Sequence, residues 1–135
     1  MAGYSGTPLA KKLSLKDGLR TRFEAMPDSV RAEIEAADLS LPDWDGSPGA
    51  LDALHIFSTD AAALRARLTA ARDQIAQTGF IWVSWPKKPS KMPTDITEDE
   101  IRAIALPMGL VDVKVCAIDT TWSGLKLMIR KELRR

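Results

Sequence analysis

The chain has 135 residues, of which 45% are apolar and 27% are charged. This length supports one domain with its own hydrophobic core. The 19 Lys and Arg residues nearly balance the 18 Asp and Glu residues, which argues against a general affinity for nucleic acid or membrane, so any anion binding must be local. The single cysteine, Cys116, excludes an internal disulfide and favours a reducing compartment, the cytoplasm.

The N-terminal region contains small and polar residues followed by lysines. Residues 1–18 are therefore predicted to form an extended segment, anchored by Tyr4, ahead of a single α/β domain over residues 19–135. The segment lacks the apolar core of a signal peptide, and nowhere does an apolar run reach the roughly 20 residues that span a bilayer. We therefore expect no membrane partner.

The first half of the domain alternates strand and helix signals. The pattern "LRTRFEA" predicts a strand over Leu19–Ala25, and Asp28 or Ser29 is expected to cap a helix from about Val30. Prolines and glycines predict a loop over residues 40–50.

The apolar run "LDALHIFS", residues 51–58, is typical of a central strand. Asp60 is expected to cap the next helix, and Gly79 to end it. "FIWVSW" predicts a strand over Phe80–Trp85.

The second half begins with a proline- and lysine-rich loop and then a helix. Thr97 and Glu100 form a capping-box pattern at the start of this helix, and Pro107 and Gly109 mark its end. "VDVKVCAI" and "LKLMIRK" predict two further strands, joined as a hairpin by "DTTWSG". The whole order predicts an open three-layer α/β sheet that is mostly parallel, with right-handed crossovers and a C-terminal antiparallel hairpin.

This order of strand, helix, strand, helix and closing hairpin resembles the C-terminal half of the Rossmann-like fold of class I S-adenosylmethionine-dependent methyltransferases. In that fold a glycine-rich turn follows the first strand, because the backbone must approach the cofactor closely. Here the turn is "EAMPDSV", and no glycine lies between Gly18 and Gly46. The segment Ala25–Ala50 also leaves little room for the usual second and third strands. We therefore expect a sheet shortened at the first-strand edge and no cofactor.

Several motifs resemble an uncharacterised family of small bacterial proteins that is known only as a domain of unknown function. They are "GYSGTPLAKKL", "WVSWPKK", "TDIT", "ALPMGLVDVKVCAID" and "TWSGLKLMIRK". The resemblance implies a bacterial source and a shared fold, and it implies no activity.

Ligands of open α/β sheets bind outside the carboxyl ends of the parallel strands. This rule selects Met26, Thr59, Asp60 and the loop over residues 85–91. The resemblance to the methyltransferase fold implies that the hairpin turn over residues 119–123 lies at the same edge. Two tryptophans are expected to form the walls of a site, three lysines to supply positive charge, and Asp119 to orient one lysine. The predicted ligand-binding residues are Trp85, Lys87, Lys88, Ser90, Lys91, Asp119 and Trp122.

These residues favour a non-catalytic module that binds a small anionic ligand or an acidic partner segment. The alternative is a shortened methyltransferase-like enzyme that performs group transfer, with His55, Asp60 or Asp119 as the acid or base. His55 lies within an apolar run, which favours a hydrogen-bonded core residue over a base that substrate can reach. The lysines, equally, are consistent with a solvated loop.

Two further partner predictions concern nucleic acid and a second copy of the chain. Clustered lysines and stackable tryptophans favour single-stranded nucleic acid, but the neutral overall charge counts against it. No group of residues has metal-ligand spacing. The strand Leu19–Ala25 should lie at the sheet edge, and we expect either residues 4–13 or a second copy, giving a homodimer, to cover it.

Overall fold

The computed structural model describes residues 7–135, and Tyr4 lies outside them. One open sheet has the strand order β1-β2-β3-β5-β4. Its strands are β1 Thr21–Glu24, β2 Leu51–Phe57, β3 Ile75–Pro86, β4 Leu110–Ala117 and β5 Trp122–Ile129. The helices are α1 Leu9–Lys12, α2 Asp28–Glu35, α3 Ala61–Gln74 and α4 Glu98–Ala105.

The predicted fold class is confirmed. Strands β1, β2 and β3 are parallel, whereas β5 is antiparallel to both β3 and β4. Helices α3 and α4 bury apolar side chains against one face of the sheet, and α1 and α2 bury theirs against the other. The result is a three-layer arrangement whose two hydrophobic clusters lie on opposite faces of one sheet.

The two predicted capping residues of α3 and α4 are confirmed. The Asp60 carboxylate accepts a hydrogen bond from the Ala63 N–H at 2.8 Å. The Thr97 hydroxyl accepts one from the Glu100 N–H at 3.1 Å. Each bond satisfies a main-chain donor that the helix leaves unpaired, and such caps typically contribute about 1 kcal/mol.

The predicted cap of α2 is wrong. This helix begins at Asp28, after Pro27, and no side chain caps it. Pro27 has φ −61°, and the proline ring fixes this angle before the first turn. Asp28 instead lies in the first turn, where its negative charge interacts favourably with the helix dipole.

The predicted role of Gly79 is also wrong, because α3 already ends at Gln74 and β3 begins at Ile75. Leu51 pairs with Ile75 and Ala53 pairs with Phe80, so residues 76–79 interrupt the ladder. A Cβ atom at Gly79 would lie 2.8 Å from the Leu51 carbonyl oxygen. The glycine therefore permits close backbone approach within a strand and does not stop a helix.

The predicted extended segment over residues 1–18 needs correction within the described residues. Leu9–Lys12 form one helical turn, and Leu9, Ala10 and Leu13 are buried against the sheet. The Trp82 indole N–H donates a hydrogen bond to the Leu13 carbonyl oxygen at 3.0 Å. The spacing of these apolar residues places them on one side of a helical turn, a pattern hidden by the neighbouring lysines.

The edge of β1 is partly covered, but by a different segment from the one predicted. The Thr21 N–H donates to the Pro42 carbonyl oxygen, and the Trp44 N–H donates to the Thr21 carbonyl oxygen, both at 2.9 Å. Residues 9–13 lie on the face of the sheet instead. Strand β1 remains the terminal strand, and its covering by a second copy stays a prediction.

Candidate functional site

The loop after β3 and the turn of the β4–β5 hairpin lie side by side. Pro86 at the end of β3 pairs with Trp122 at the start of β5. The Lys87 N–H donates to the Thr121 carbonyl oxygen at 2.7 Å, and the Lys87 ammonium donates to the Asp119 carbonyl oxygen at 2.7 Å. These bonds fix the start of the lysine-rich loop against the hairpin turn.

The rest of this loop is held by its own hydrogen bonds. The Ser90 hydroxyl donates to the Lys87 carbonyl oxygen at 2.6 Å, and Lys88–Ser90 form a 3₁₀ turn. Lys91 follows with φ 60°. Lys88 and Lys91 are exposed. The cationic loop is thus an ordered structure that presents two ammonium groups to solvent.

No carboxylate within residues 7–135 lies within ion-pair distance of Lys87, Lys88 or Lys91, since every ion pair there uses an arginine. The Asp119 carboxylate accepts hydrogen bonds from the N–H groups of Thr121 and Trp122, both at 2.8 Å. The prediction that the Asp119 side chain orients a lysine is therefore corrected. The main-chain carbonyl oxygen of Asp119 holds the Lys87 ammonium, and the carboxylate stabilises the turn.

The two predicted aromatic walls lie on opposite faces of the sheet. Trp85 is 8% exposed and packs in the cluster under α3 and α4. Trp122 packs against the other cluster, where its ring meets Phe57 edge to face at a centroid distance of 5.1 Å. Successive side chains along a strand point to opposite faces of the sheet. Trp122 pairs with Pro86, the residue after Trp85, and so lies on the face opposite Trp85. The two tryptophans therefore cannot enclose one ligand.

His55 is a core residue. It is 2% exposed, its Nε2 lies 2.7 Å from the Ser84 hydroxyl oxygen, and its ring stacks on Phe57 at 4.4 Å. Its Nδ1 has no hydrogen-bond partner among the residues that the structure describes. Burial lowers the pKa of His55 to about 3, because the charged imidazolium is poorly solvated there. A group so enclosed is not accessible to a substrate as a base.

The N-terminus of α3 is occupied by two carboxylates of the protein itself. Asp60 accepts from the Ala63 N–H at 2.8 Å, and Asp95 accepts from the Ala61 N–H at 2.7 Å. Free N–H groups at a helix N-terminus commonly bind phosphate. Here that position is already filled, and Asp60 has a structural partner.

The turn after β1 does not fit S-adenosylmethionine. Ala25 has φ 56°, a left-handed conformation that glycine adopts more easily. Met26 follows and packs against the cluster under α1 and α2. The Cβ of Ala25 and the side chain of Met26 therefore stand where the glycine-rich turn of the related fold exposes bare backbone to the cofactor.

Ion pairs also secure the end of β1. The Glu24 carboxylate contacts Arg67 at 2.7 Å and Arg22 at 2.8 Å. Burial raises the pKa of Glu24, but the hydrogen bonds from the two arginines outweigh this effect and hold the pKa below its usual value. The acidic group at this strand end thus ties β1 to α3.

Sequence reasoning missed a cleft of about 450 Å³ beside β1. The Arg31 guanidinium lies 5.8 Å from the centroid of the Phe23 ring there. The cleft depends on the pairing of β1 with residues 42–44, which the sequence does not reveal. The one sequence feature that points to it is Trp44, an aromatic residue in a Pro- and Gly-rich loop. The lining residues are Thr21, Arg22, Phe23, Arg31, Asp43 and Trp44.

Three other features, a metal site, a membrane-spanning helix and a reactive thiolate, are not supported within residues 7–135. They contain no group of three or more His, Cys, Asp or Glu side chains arranged to hold a metal ion. Their helices are too short or too polar to cross a membrane. Cys116 is half-buried, and burial raises the pKa of its thiol above the usual value, which disfavours the reactive thiolate.

Two solved structures of methyltransferases have a similar fold. A methyltransferase from Aquifex aeolicus, described as dependent on S-adenosylmethionine, has a TM-score of 0.60 at 12% identity, over 90% of this chain and 87% of that chain. A protein from Sulfolobus solfataricus, assigned as a type 11 methyltransferase, has a TM-score of 0.55 at 9% identity, over 84% of this chain and 72% of that chain. At these identities the likeness shows the fold alone.

The family comparison agrees with the motifs. No curated protein matches the chain. A family model described as "Protein of unknown function (DUF3052)" matches residues 23–131. The match covers most of the chain, from the third residue of β1 to beyond the end of β5. The chain therefore belongs to this DUF3052 family.

Proposed function

We propose that this protein is a non-catalytic binding module that holds a small anionic ligand, or an acidic partner segment, at the carboxyl edge of its sheet. The observation that carries the proposal is the loop after β3, where Lys87, Lys88 and Lys91 have no carboxylate of residues 7–135 within ion-pair distance. Carboxyl edges of parallel strands are the usual ligand positions of open α/β sheets.

The geometry of the loop suits an anion. Lys88 and Lys91 are exposed and can donate charge-assisted hydrogen bonds, which are stronger than neutral ones. Lys87 is held behind them by the Asp119 carbonyl oxygen. The loop is ordered before binding, so little conformational entropy is lost when a ligand arrives.

The absence of a catalytic role is supported by the three acid–base candidates. His55 is buried against Ser84, Asp60 caps α3, and the Asp119 carboxylate is held by two main-chain N–H groups. Each has a structural partner, and a general acid or base must be able to reach its substrate.

The alternative function is group transfer on a small substrate, and the likeness to two methyltransferase structures favours it. Such an enzyme requires S-adenosylmethionine or a related donor. The side chains of Ala25 and Met26 at the first turn count against this cofactor, since the turn lacks the glycines that admit it.

A thermal-shift screen tests both functions. The compounds are inorganic phosphate, nucleotides, phosphorylated metabolites, acidic peptides and S-adenosylmethionine. A ligand present at one hundred times its dissociation constant stabilises the folded protein by about 2.7 kcal/mol. The proposal expects stabilisation by an anion that is lost in a Lys88→Gln/Lys91→Gln variant.

The control is Lys131→Gln, which removes an exposed lysine from the C-terminal 3₁₀ turn. It should keep the full stabilisation. If the double variant binds the anion as tightly as the unmodified protein, the loop is only a solvated end of β3. Stabilisation by S-adenosylmethionine would instead favour the enzyme.

A further inference from the structure

A second group of lysines lies away from the loop after β3, on the face of the sheet that α1 covers. Lys114 on β4 and Lys126 on β5 pair directly across the antiparallel ladder. Like charges directly opposite each other destabilise such a pair. Lys16 adds a third charge, two residues after Ser14, whose hydroxyl oxygen accepts a hydrogen bond from the Lys126 ammonium at 3.0 Å. We call Lys16, Lys114 and Lys126 the lysine cluster.

The lysine cluster has no compensating acid. Within residues 7–135, no carboxylate lies within ion-pair distance of its three members. Asp17, the nearest acidic residue in sequence, accepts a hydrogen bond from the Ser40 N–H at 2.7 Å. The concentration of positive charge is therefore a local exception in a chain whose net charge is only +1.

Two of these ammonium groups are held in place. The Lys126 ammonium donates to the Ser14 hydroxyl oxygen at 3.0 Å and lies 4.6 Å from the centroid of the Phe80 ring. The Lys114 ammonium donates to the Lys12 carbonyl oxygen at 3.3 Å. Each ammonium carries three donors, so each keeps donors for a ligand after making this contact.

The electrostatic cost of the arrangement is visible at Lys126. Burial lowers the pKa of this lysine, and repulsion from Lys114 and Lys16 lowers it further. A bound anion would reverse this repulsion. Natural sequences keep such locally unfavourable arrangements mainly where function requires them.

We propose that the lysine cluster binds a multiply charged phosphoryl group, such as the diphosphate or triphosphate of a small ligand. Lysine ammonium groups bind phosphate as point charges, and the lysine cluster places two of them opposite each other across the β4–β5 ladder. A compact anion fits better than a long polyanion, because the rest of the chain has 16 Lys and Arg residues against 18 Asp and Glu residues and so adds no attraction for a long polyanion. This site is separate from the loop after β3.

Calorimetric titration with tripolyphosphate at low salt tests the proposal. The variant is Lys16→Gln/Lys114→Gln, which removes two exposed lysines and leaves Lys126 in place on Phe80. We expect affinity for tripolyphosphate to fall at least tenfold. The melting temperature of the unliganded variant should stay equal or rise, because repulsion is relieved. A purely structural role of these lysines predicts the opposite shift in melting temperature.

Two control variants separate this site from the proposed function. Lys131→Gln should bind tripolyphosphate as the unmodified protein does. The Lys88→Gln/Lys91→Gln variant should keep the binding event that the Lys16→Gln/Lys114→Gln variant loses, whether or not the loop after β3 takes up a second tripolyphosphate. Undiminished affinity in the Lys16→Gln/Lys114→Gln variant would overturn the proposal, and so would loss of binding in the Lys88→Gln/Lys91→Gln variant alone. Binding of a single-stranded oligonucleotide through the lysine cluster, without binding of tripolyphosphate, would overturn the assignment to a small phosphoryl ligand.

Discussion

Two turns at the carboxyl edge of the sheet have opposite characters. The turn after β1 is closed: the half-buried Met26 packs against the core, and Glu24 forms ion pairs with two arginines. The loop after β3 is open: Lys88 and Lys91 are exposed, and no carboxylate in the described part of the chain lies within ion-pair distance of them. In this methyltransferase-like fold, side chains thus fill the turn after the first strand, while exposed positive charge lies at another strand end.

Both turns contain a residue other than glycine in the left-handed conformation, Ala25 with φ 56° and Lys91 with φ 60°. In the turn after β1 the backbone of Ala25 adopts the left-handed conformation that glycine prefers, although Ala25 carries a Cβ atom. The difference between the turns therefore lies in their side chains. A small number of substitutions can test it.

The largest expected effect on stability is at Trp85, which lies near the end of β3, just before the open loop, and is 8% exposed. Trp85→Ala should lower the free energy of unfolding by about 3–5 kcal/mol, because it leaves a cavity in the core. Trp122→Ala should cost less, since Trp122 is only half-buried. Urea denaturation measures both, and an equal or larger loss at Trp122 would contradict the placement of the two rings.

The next effect concerns His55, on the strand between the two turns. Its pKa is about 3 in the folded protein against 6.5 for the unperturbed side chain. As the pH falls below 6.5, the unfolded chain gains a proton that the folded protein does not bind. The stability from neutral His55 is therefore full above this pH and is lost progressively toward the folded pKa.

Between about pH 6.5 and pH 4.5 the free energy of unfolding should fall by about 1.4 kcal/mol per pH unit. Shifted carboxylates such as Glu24, with its lowered pKa, act mainly below this window. A His55→Leu variant should show a flatter profile in urea denaturation across the same window. If the His55→Leu variant and the unmodified protein had the same slope, His55 would have to become protonated in the folded protein as readily as in the unfolded chain.

A smaller effect is expected in the closed turn. Ala25→Gly should raise the free energy of unfolding by about 1 kcal/mol, because glycine adopts a positive φ without the Cβ clash. Ala32→Gly is the matched control, since Ala32 lies exposed within α2 and glycine should cost about 1 kcal/mol there. Thermal denaturation compares the two, and destabilisation by both would contradict the strained turn.

The smallest effect on stability belongs to the open loop. Lys88→Gln/Lys91→Gln should change the free energy of unfolding by no more than about 0.5 kcal/mol, because exposed charges without partners contribute little to folding. Urea denaturation of the unliganded protein measures it. A loss well above this value would show that the two lysines hold the loop together.

The sequence predicts the strands and the capped helices well, because their signals are local. Asp60 and Thr97 stand at the start of apolar helical patterns, and both cap as expected. Gly79 misleads for a long-range reason: its role is to let β3 approach the Leu51 carbonyl oxygen. Neighbouring residues carry no sign of that contact.

The candidate site is harder to predict, because it depends on register. The loop after β3 and the hairpin turn do lie together, as the order of strands indicates. Whether Trp85 and Trp122 share a face is decided by pairing, and a shift of one residue in register reverses the answer. The cleft beside β1 likewise arises from a bridge between Thr21 and Asp43, which composition does not reveal.

The most direct test of the central claim is calorimetric titration of the unmodified protein with S-adenosylmethionine, beside a titration with the anion that stabilises it most in the thermal-shift screen. We expect heat of binding for the anion and none for S-adenosylmethionine, because side chains fill the turn after β1. Saturable binding of S-adenosylmethionine that weakens when the Ala25–Met26 turn is altered would contradict it. The protein would then be a methyltransferase-like enzyme with an unconventional cofactor turn.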